Sequence, residues 1–383
     1  MSGPLLPGGA PIGILGGGQL GRMLALAARR SGYRVAVIAP GGAATPAGQV
    51  ADAAHDAAPS AELMRSLAPG LGVLTYEFEN LPAEAVAAAA EAVPVRPSPE
   101  ALRTTQNRAL EKAFLHRHGL PTVAFERVAG AAEAEAAAER LGGACVLKSA
   151  GLGYDGKGQA VAETPAEAAD AWAAVGADEA VVEARVELAM EVSVVAARGV
   201  DGELAHYGVT ENRHRHHVLD LSVADAELDP ALRDEAVAIA RAVGEGLDLV
   251  GTFCVEFFVA TDGRLLVNEI APRPHNSGHL TLEAAATSQF DQQLRAVCGL
   301  PLGSPRRLAP AAMANLLGDV WAAGAPRWAE AFADPDATLH LYGKEEARPG
   351  RKMGHITVLG SDRHDAAERA LDLRRRLTTH VVS

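Results

Sequence analysis

The stretch "TFCVEFFVATDGRLLVNEI" (252–270) constrains the fold more than any other part of the chain. Two apolar, β-branched runs flank Asp262-Gly263, and Asp-Gly in that setting is among the strongest short hairpin signals. A two-residue loop pairs Thr261 with Arg264. Carried outward, that register sets Glu256 opposite Glu269 and Phe257 opposite Asn268. Directly opposed residues share a face, with Cβ atoms about 4.5–5.5 Å apart, and like charges there repel. Cys254, Phe258 and Val267 give this face an apolar setting, which disfavours two solvated surface glutamates. A divalent cation between the carboxylates relieves the repulsion. Mg²⁺ is commonly held by one or two carboxylates together with phosphate oxygens. The hairpin therefore predicts an antiparallel sheet bearing a metal-phosphate site.

A second stretch, "GLGYDGKG" (151–158), resembles a P-loop but has Gly158 where a P-loop carries the magnesium-binding Ser or Thr. A P-loop also runs straight into a helix. Here "ACVLKSA" precedes the loop and "GQAVAE" follows it, and both read as strands. The loop is thus a flap between two strands. Its glycines let backbone N–H groups approach phosphates, and Lys148 on the strand before it supplies a positive charge. Taken alone, a plain glycine hairpin fits this stretch equally well.

The start of the chain reads as strand "PIGIL", glycine turn "GGGQLG", helix "RMLALAARRSG" and strand "YRVAVIA", a βαβ unit. The turn contains G-x-G-x-x-G in its proper context, but the second strand ends Ala39-Pro40 with no acid for a dinucleotide ribose. A phosphate group at the helix N-terminus fits better than NAD, and a plain turn remains the bland alternative. The formal net charge of −13 argues against nucleic-acid and membrane partners. Cys145, Cys254 and Cys298 are scattered in apolar contexts and read as buried thiols of a reducing cytoplasm. No basic signal region or membrane-length apolar run is present, so a cytoplasmic location is expected.

These patterns divide the chain into an N-terminal βαβ (Rossmann-like) domain (1–106) and a small α+β lobe with the flap (107–186). A larger antiparallel lobe with the hairpin (187–300) and a C-terminal subdomain with the basic turn "ARPGRK" (301–383) follow. The class is α/β plus α+β.

A glycine flap with a lysine, facing an antiparallel sheet with paired carboxylates, resembles the ATP-grasp superfamily. "ILGGGQLGRM", "TYEFENLP", "GYDGKGQ", "NEIAPRPHNSGH" and "RPGRKMGH" occur in this order over most of the chain. Together they resemble the 5-(carboxyamino)imidazole ribonucleotide synthase family of purine biosynthesis. That resemblance implies carboxylation of aminoimidazole ribonucleotide by ATP and bicarbonate through carboxyphosphate, in a homodimer.

The same resemblance assigns residues. ATP would meet Arg108, Lys148, the flap residues Gly153, Tyr154, Asp155, Gly156, Lys157, Gly158 and Gln159, the hinge Glu183, Ala184, Arg185 and Val186, then Glu191, His214, Asn268 and Glu269. Mg²⁺, or Mn²⁺ in its place, would be held by Glu256 and Glu269. The ribonucleotide would meet Gly17, Gly18, Gln19, Leu20, Glu77, Asp155, Arg273, His275, Asn276, Ser277, Lys344, Arg351 and Lys352. Tyr154, Asp155, Arg273, His275 and Lys344 would serve catalysis. Glu79 receives no role.

The hinge departs from the usual Glu-Gln before a β-branched residue; adenine contacts there are mostly to backbone, so no large effect is expected, and Arg185 is the residue through which nucleotide preference would change. "ENRHRHH" is weighed as a metal cluster and set aside, because its histidines do not alternate onto one face. Three other functions compete: a formate-dependent glycinamide ribonucleotide transformylase of the same fold, an NAD-dependent oxidoreductase, and a nucleotide-binding regulator without turnover.

Overall fold

A computed structural model describes residues 3–151 and 158–378. The N-terminal part runs β1 (Ile12–Leu15), α1 (Gln19–Arg30), β2 (Val35–Ala39), β3 (Ala53–Asp56), α2 (Ala61–Leu67), β4 (Val73–Tyr76) and α3 (Ala83–Ala90). Its strands form a parallel sheet in the order β3-β2-β1-β4. All four positions of β1 and β4, and all five of β2, are buried, as expected for strands covered on both faces. The order reverses at β1, so the turns after β1 and β4 separate and leave a crevice between them. Gly16–Gly18 and Glu77 lie at that crevice.

Helices α4 (Pro99–Thr105) and α5 (Arg108–Arg117) lead out of this domain, each started by a side-chain cap, Ser98 and Asn107. A small antiparallel sheet follows, made of β5 (Phe125–Val128), α6 (Ala131–Arg140), β6 (Cys145–Ser149), β7 (Gln159–Ala162), α7 (Pro165–Val175) and β8 (Ala180–Ala184). Its order is β5-β8-β6-β7. Lys148 pairs with Gln159, so the glycine segment does join two antiparallel strands. The alanines of α6 and α7 pack against Leu147, Cys145 and Val182.

The rest of the chain builds one antiparallel sheet of eight strands. It comprises β9 (Leu188–Arg198), β10 (Leu204–Arg215), β11 (Val218–Ala224), α8 (Pro230–Gly246), β12 (Gly251–Ala260), β13 (Leu265–Ala271), α9 (Thr281–Ala284) and α10 (Gln289–Val297). Then come β14 (Ala311–Leu317), α11 (Trp328–Ala331), β15 (Ala337–Leu341), β16 (Lys352–Leu359) and α12 (Arg363–Thr378). The order is β13-β12-β9-β10-β11-β14-β16-β15. The expected break at 300/301 therefore does not interrupt the sheet: β14, β16 and β15 extend it. One face packs on α8 through Val192, Val194, Val255, Phe257, Ile239 and Val243. The opposite face carries the polar residues.

The β12–β13 hairpin corrects the expected register. The loop has three residues rather than two: Ala260 N–H donates to Arg264 C=O at 2.9 Å, and Gly263 takes the left-handed φ of +87°. The longer loop pairs Phe257 with Val267, not Asn268, and turns Val267 into the α8 core rather than onto the face of Glu256. A β-bulge then restores the register, so that Glu256 does pair with Glu269. The inserted residue is Asn268. Leu265 and Val267 face the core, and strict alternation would send Glu269 there too. One extra residue flips Glu269 to the polar face.

Candidate active site

Glu256 and Glu269 face each other, and each is matched by a protein cation. His275 Nε2 lies 2.9 Å from Glu256, and Arg108 Nη2 lies 3.1 Å from Glu269. Burial pushes the Glu269 carboxyl up, but Arg108, Lys148 and His275 outweigh it and hold it down to about 2. Burial works against charge on His275, yet Cys254 and Glu256 push its imidazole up to about 10. Two carboxylates on one sheet face fit a divalent cation whose other ligands come from phosphate. Among the described residues, no group of three or more His, Cys, Asp or Glu side chains is arranged to hold a metal by itself.

The bulge is fastened from α5. Lys112 has no exposed surface and donates to Thr122 Oγ1 at 2.7 Å and Asn268 C=O at 3.2 Å. Its ammonium also lies 3.3 Å from Glu183, whose other oxygen is 2.6 Å from Lys148. Burial pushes the Glu183 carboxyl up, but Lys148, Lys112 and Arg108 hold it down to about 2. Glu111, one turn from Arg108, accepts Ile270 N–H at 3.0 Å, and burial raises its carboxyl to about 8. Lys148 also reaches Asn268 Oδ1 at 3.3 Å. Lys112 and Glu111 escaped the sequence reading. The signal was there: Arg108, Glu111 and Lys112 sit at i, i+3 and i+4, one helix face.

Glu183 ends the central stretch of β8, between Phe125 and Val146. Ala184 is half-buried, and Arg185 is exposed and paired with Glu163. Glu191 and His214 are brought together, Oε2 to Nδ1 at 3.0 Å. His216 and His217 form the β10–β11 hairpin turn, both at positive φ, away from His214. His217 Nδ1 lies 3.3 Å from Gln159 Nε2 at the base of the flap. Gly153, Tyr154, Asp155, Gly156 and Lys157 lie outside the described residues.

At the crevice, the Glu77 carboxylate accepts Gly18 N–H, and Gly21 N–H at 2.7 Å. Two amides of the expected phosphate loop are thus held by Glu77. Its burial raises its pKa against the pull of those amides, Arg273 and Lys344. Gly16 has φ +111°, and a Cβ there would lie 2.4 Å from Glu77 Cγ, so the turn admits only glycine. Arg273 forms a two-point bridge to Glu79, with Nη2 2.9 Å from Oε1. Glu79, which received no role from the sequence, ties the N-terminal domain to the segment after β13. Lys344 Nζ donates to Lys352 C=O at 2.6 Å, and Gln49 binds Gly343 C=O at 3.0 Å, so the C-terminal loop docks beside α1. Arg351 lies on that loop, bonded to Glu346 C=O at 2.8 Å. Asn276 and Ser277 are buried beside His275.

Comparison with known proteins finds three matched segments. Residues 10–106 match the ribonucleotide synthetase preATP-grasp domain, 113–290 the ATP-grasp domain, and 311–369 the phosphoribosylaminoimidazole carboxylase C-terminal domain. The chain is 44% identical over 357 residues to the N5-carboxyaminoimidazole ribonucleotide synthase of Brucella melitensis, covering 91% of this chain and 96% of that protein. The crystal structure of N5-carboxyaminoimidazole synthetase from Staphylococcus aureus complexed with ADP superposes with a TM-score of 0.90 at 34% identity, over 97% of this chain and 99% of that one. The Aspergillus clavatus synthase in complex with ADP and 5-aminoimidazole ribonucleotide gives 0.86 at 33% identity, over 96% and 99%.

Proposed function

The chain belongs to the N5-carboxyaminoimidazole ribonucleotide synthases, and from that premise we propose which of its residues carry the reaction. It is an ATP-grasp ligase that carboxylates 5-aminoimidazole ribonucleotide with consumption of ATP. Bicarbonate is the proposed carbon source. Its oxygen attacks the γ-phosphorus, giving ADP and carboxyphosphate. The exocyclic amine then takes the carboxyl carbon, phosphate leaves, and the amine loses a proton.

ATP is proposed to lie between the small sheet and the large one. Arg108 and Lys148 face its phosphates, the strand end at Glu183, Ala184, Arg185 and Val186 faces adenine, and Glu191 with His214 faces the ribose. Glu256 and Glu269 would hold Mg²⁺, or Mn²⁺, which when bound neutralises phosphate charge. Asn268, on the bulge, is oriented by Lys148. The ribonucleotide is proposed to bind across the crevice, with its phosphate near Gln19, Leu20, Lys344 and Arg351. Arg273, His275, Asn276 and Ser277 line the space between the two substrates. Tyr154 and Asp155 of the flap are assigned by resemblance. Closure of a flap over this space would keep water from carboxyphosphate.

The observation carrying this reading is the opposed pair Glu256–Glu269 beside the Glu79–Arg273 bridge, which links the segment after β13 to the N-terminal domain and so supports a metal face next to a ribonucleotide crevice. The division at 106, 186 and 300, the homodimer and a cytoplasmic location belong to the same proposal. Three buried free cysteines support the last, and among the described residues no helix is long and apolar enough to cross a membrane.

The test is ADP release with bicarbonate, with and without aminoimidazole ribonucleotide. Strong stimulation by the ribonucleotide is expected. Equal stimulation by glycinamide ribonucleotide plus formate would favour the transformylase, and reduction of NAD would favour the oxidoreductase.

A further inference from the structure

A chain of buried side chains crosses the eight-stranded sheet and ends on His275. Ser222 on β11 donates to Asn212 Oδ1 at 2.9 Å, and Asn212 Nδ2 on β10 donates to Ser193 Oγ at 2.9 Å. Ser193 Oγ on β9 lies 2.8 Å from Ser277 Oγ, which lies 2.9 Å from His275 Nδ1. The other ring nitrogen, Nε2, lies 2.9 Å from Glu256. Ser193, Ser222 and Ser277 have no exposed surface, and Asn212 is 4% exposed.

Burying four polar side chains costs stability unless every group is bonded, and apolar residues of the same shape avoid that cost. Here each link is made, and Nε2 donates to Glu256. The backbone of His275 is fixed separately: buried Gln289 accepts its N–H at 2.9 Å and donates to its C=O at 2.7 Å. Gln289 therefore holds the loop, while the ring is contacted by Glu256 at Nε2 and, at Nδ1, by Ser277, whose N–H lies at 3.3 Å and whose hydroxyl ends the chain from Ser222.

We propose that Ser193, Asn212 and Ser222 are positioning residues for the carboxylation, acting through Ser277 to keep the His275 ring aimed at Glu256. The proposal rests on His275 belonging to the reacting centre. A network that is fully bonded and spans three strands has one low-energy arrangement, which is what a preorganised group requires.

Steady-state kinetics on the full-length enzyme test it. Ser193→Ala is expected to lower kcat about tenfold and to leave the KM for ATP within about twofold. Ser193→Thr keeps the hydroxyl and is expected to restore most of that loss. A role in packing alone predicts the opposite order, because Thr is bulkier than either Ser or Ala. In a His275→Ala background, Ser193→Ala should add less than about a twofold loss, since its effect runs through the missing ring. Losses that multiply in the double variant, a loss confined to the KM for ATP, or a Thr variant worse than Ala would each overturn the proposal. If Ser193→Ala fails to fold, Ser222→Ala at the far end of the chain carries the same test, with the same expected signs. His275→Ala alone separates the two readings. Full activity there removes His275 from the reacting centre. An impaired His275→Ala beside an unimpaired Ser193→Ala overturns the relay alone.

Discussion

Glu256 and Glu269 pair directly across β12 and β13, yet each is neutralised by a residue from another segment: His275 for the first, Arg108 for the second. The site is thus charged and balanced before any cation arrives. Mg²⁺ would enter between groups whose repulsion the protein has already offset.

Glu269→Gln should therefore lower turnover by at least about a hundredfold, the scale of losing one charge-stabilising group at a reacting phosphate. Stability should change little. Repulsion from Glu256 is relieved, but Arg108 loses its partner. Mg²⁺ titrations of ADP release together with thermal melts check both parts. Near-normal turnover at ordinary Mg²⁺ would remove Glu269 from the metal site.

Asn268 makes a sharper case, because removing the whole residue removes the bulge. Asn268→Ala should fold and should lose mainly the contact with Lys148. Deleting residue 268 removes the bulge and brings Glu269 directly after Val267, so regular alternation keeps Glu269 on the polar face opposite Glu256 and Ile270 in the α8 core. That variant should fold and melt below the wild type, because Lys112 loses its bond to Asn268 C=O. Circular dichroism melts of the two variants decide it, and a deletion that fails to fold would contradict the bulge argument.

The two substrates should separate by mutation. Arg351→Ala removes the proposed charge-assisted phosphate partner and is expected to raise the KM for aminoimidazole ribonucleotide about ten- to a hundredfold. The KM for ATP should hold. Lys148→Ala should do the reverse, and it should also disturb Glu183, which it holds at 2.6 Å. Varying each substrate in turn measures the split. A shared loss in Arg351→Ala would assign the C-terminal loop to ATP.

Glu111 predicts a pH dependence of stability. Burial raises its carboxyl from 4.5 to about 8 in the folded protein. A raised folded value means that the native state binds the proton more tightly. The contribution is whole below the unfolded value and is lost as pH rises through about 8. Glu111→Gln keeps an acceptor for Ile270 N–H without the ionisation. Its urea midpoint should fall less than the wild type's between pH 5 and 8.5, and should exceed it above pH 8. Parallel curves for the two proteins would remove Glu111 as the source.

Local pattern determined a good deal of this protein. Period-two runs gave the strands, glycine turns gave the flap and the βαβ opening, and ordered motifs identified the superfamily and the reaction. Even the pairing of Glu256 with Glu269 was read from the hairpin, although by way of a two-residue loop that the chain does not make. The three-residue loop and the bulge at Asn268 offset each other, and no local rule locates a bulge. Its position follows from Leu265, Val267 and Ile270 all reaching the α8 core. Tertiary structure also decided the partners. Lys112 and Glu111 act on β13, about 155 residues away, Glu79 acts on Arg273, and Asn212 reaches His275 only through Ser193 and Ser277. Periodicity reports which side of an element is buried. Which charge meets which, across segments far apart in sequence, is fixed only when the elements pack and buried polar groups must find their partners.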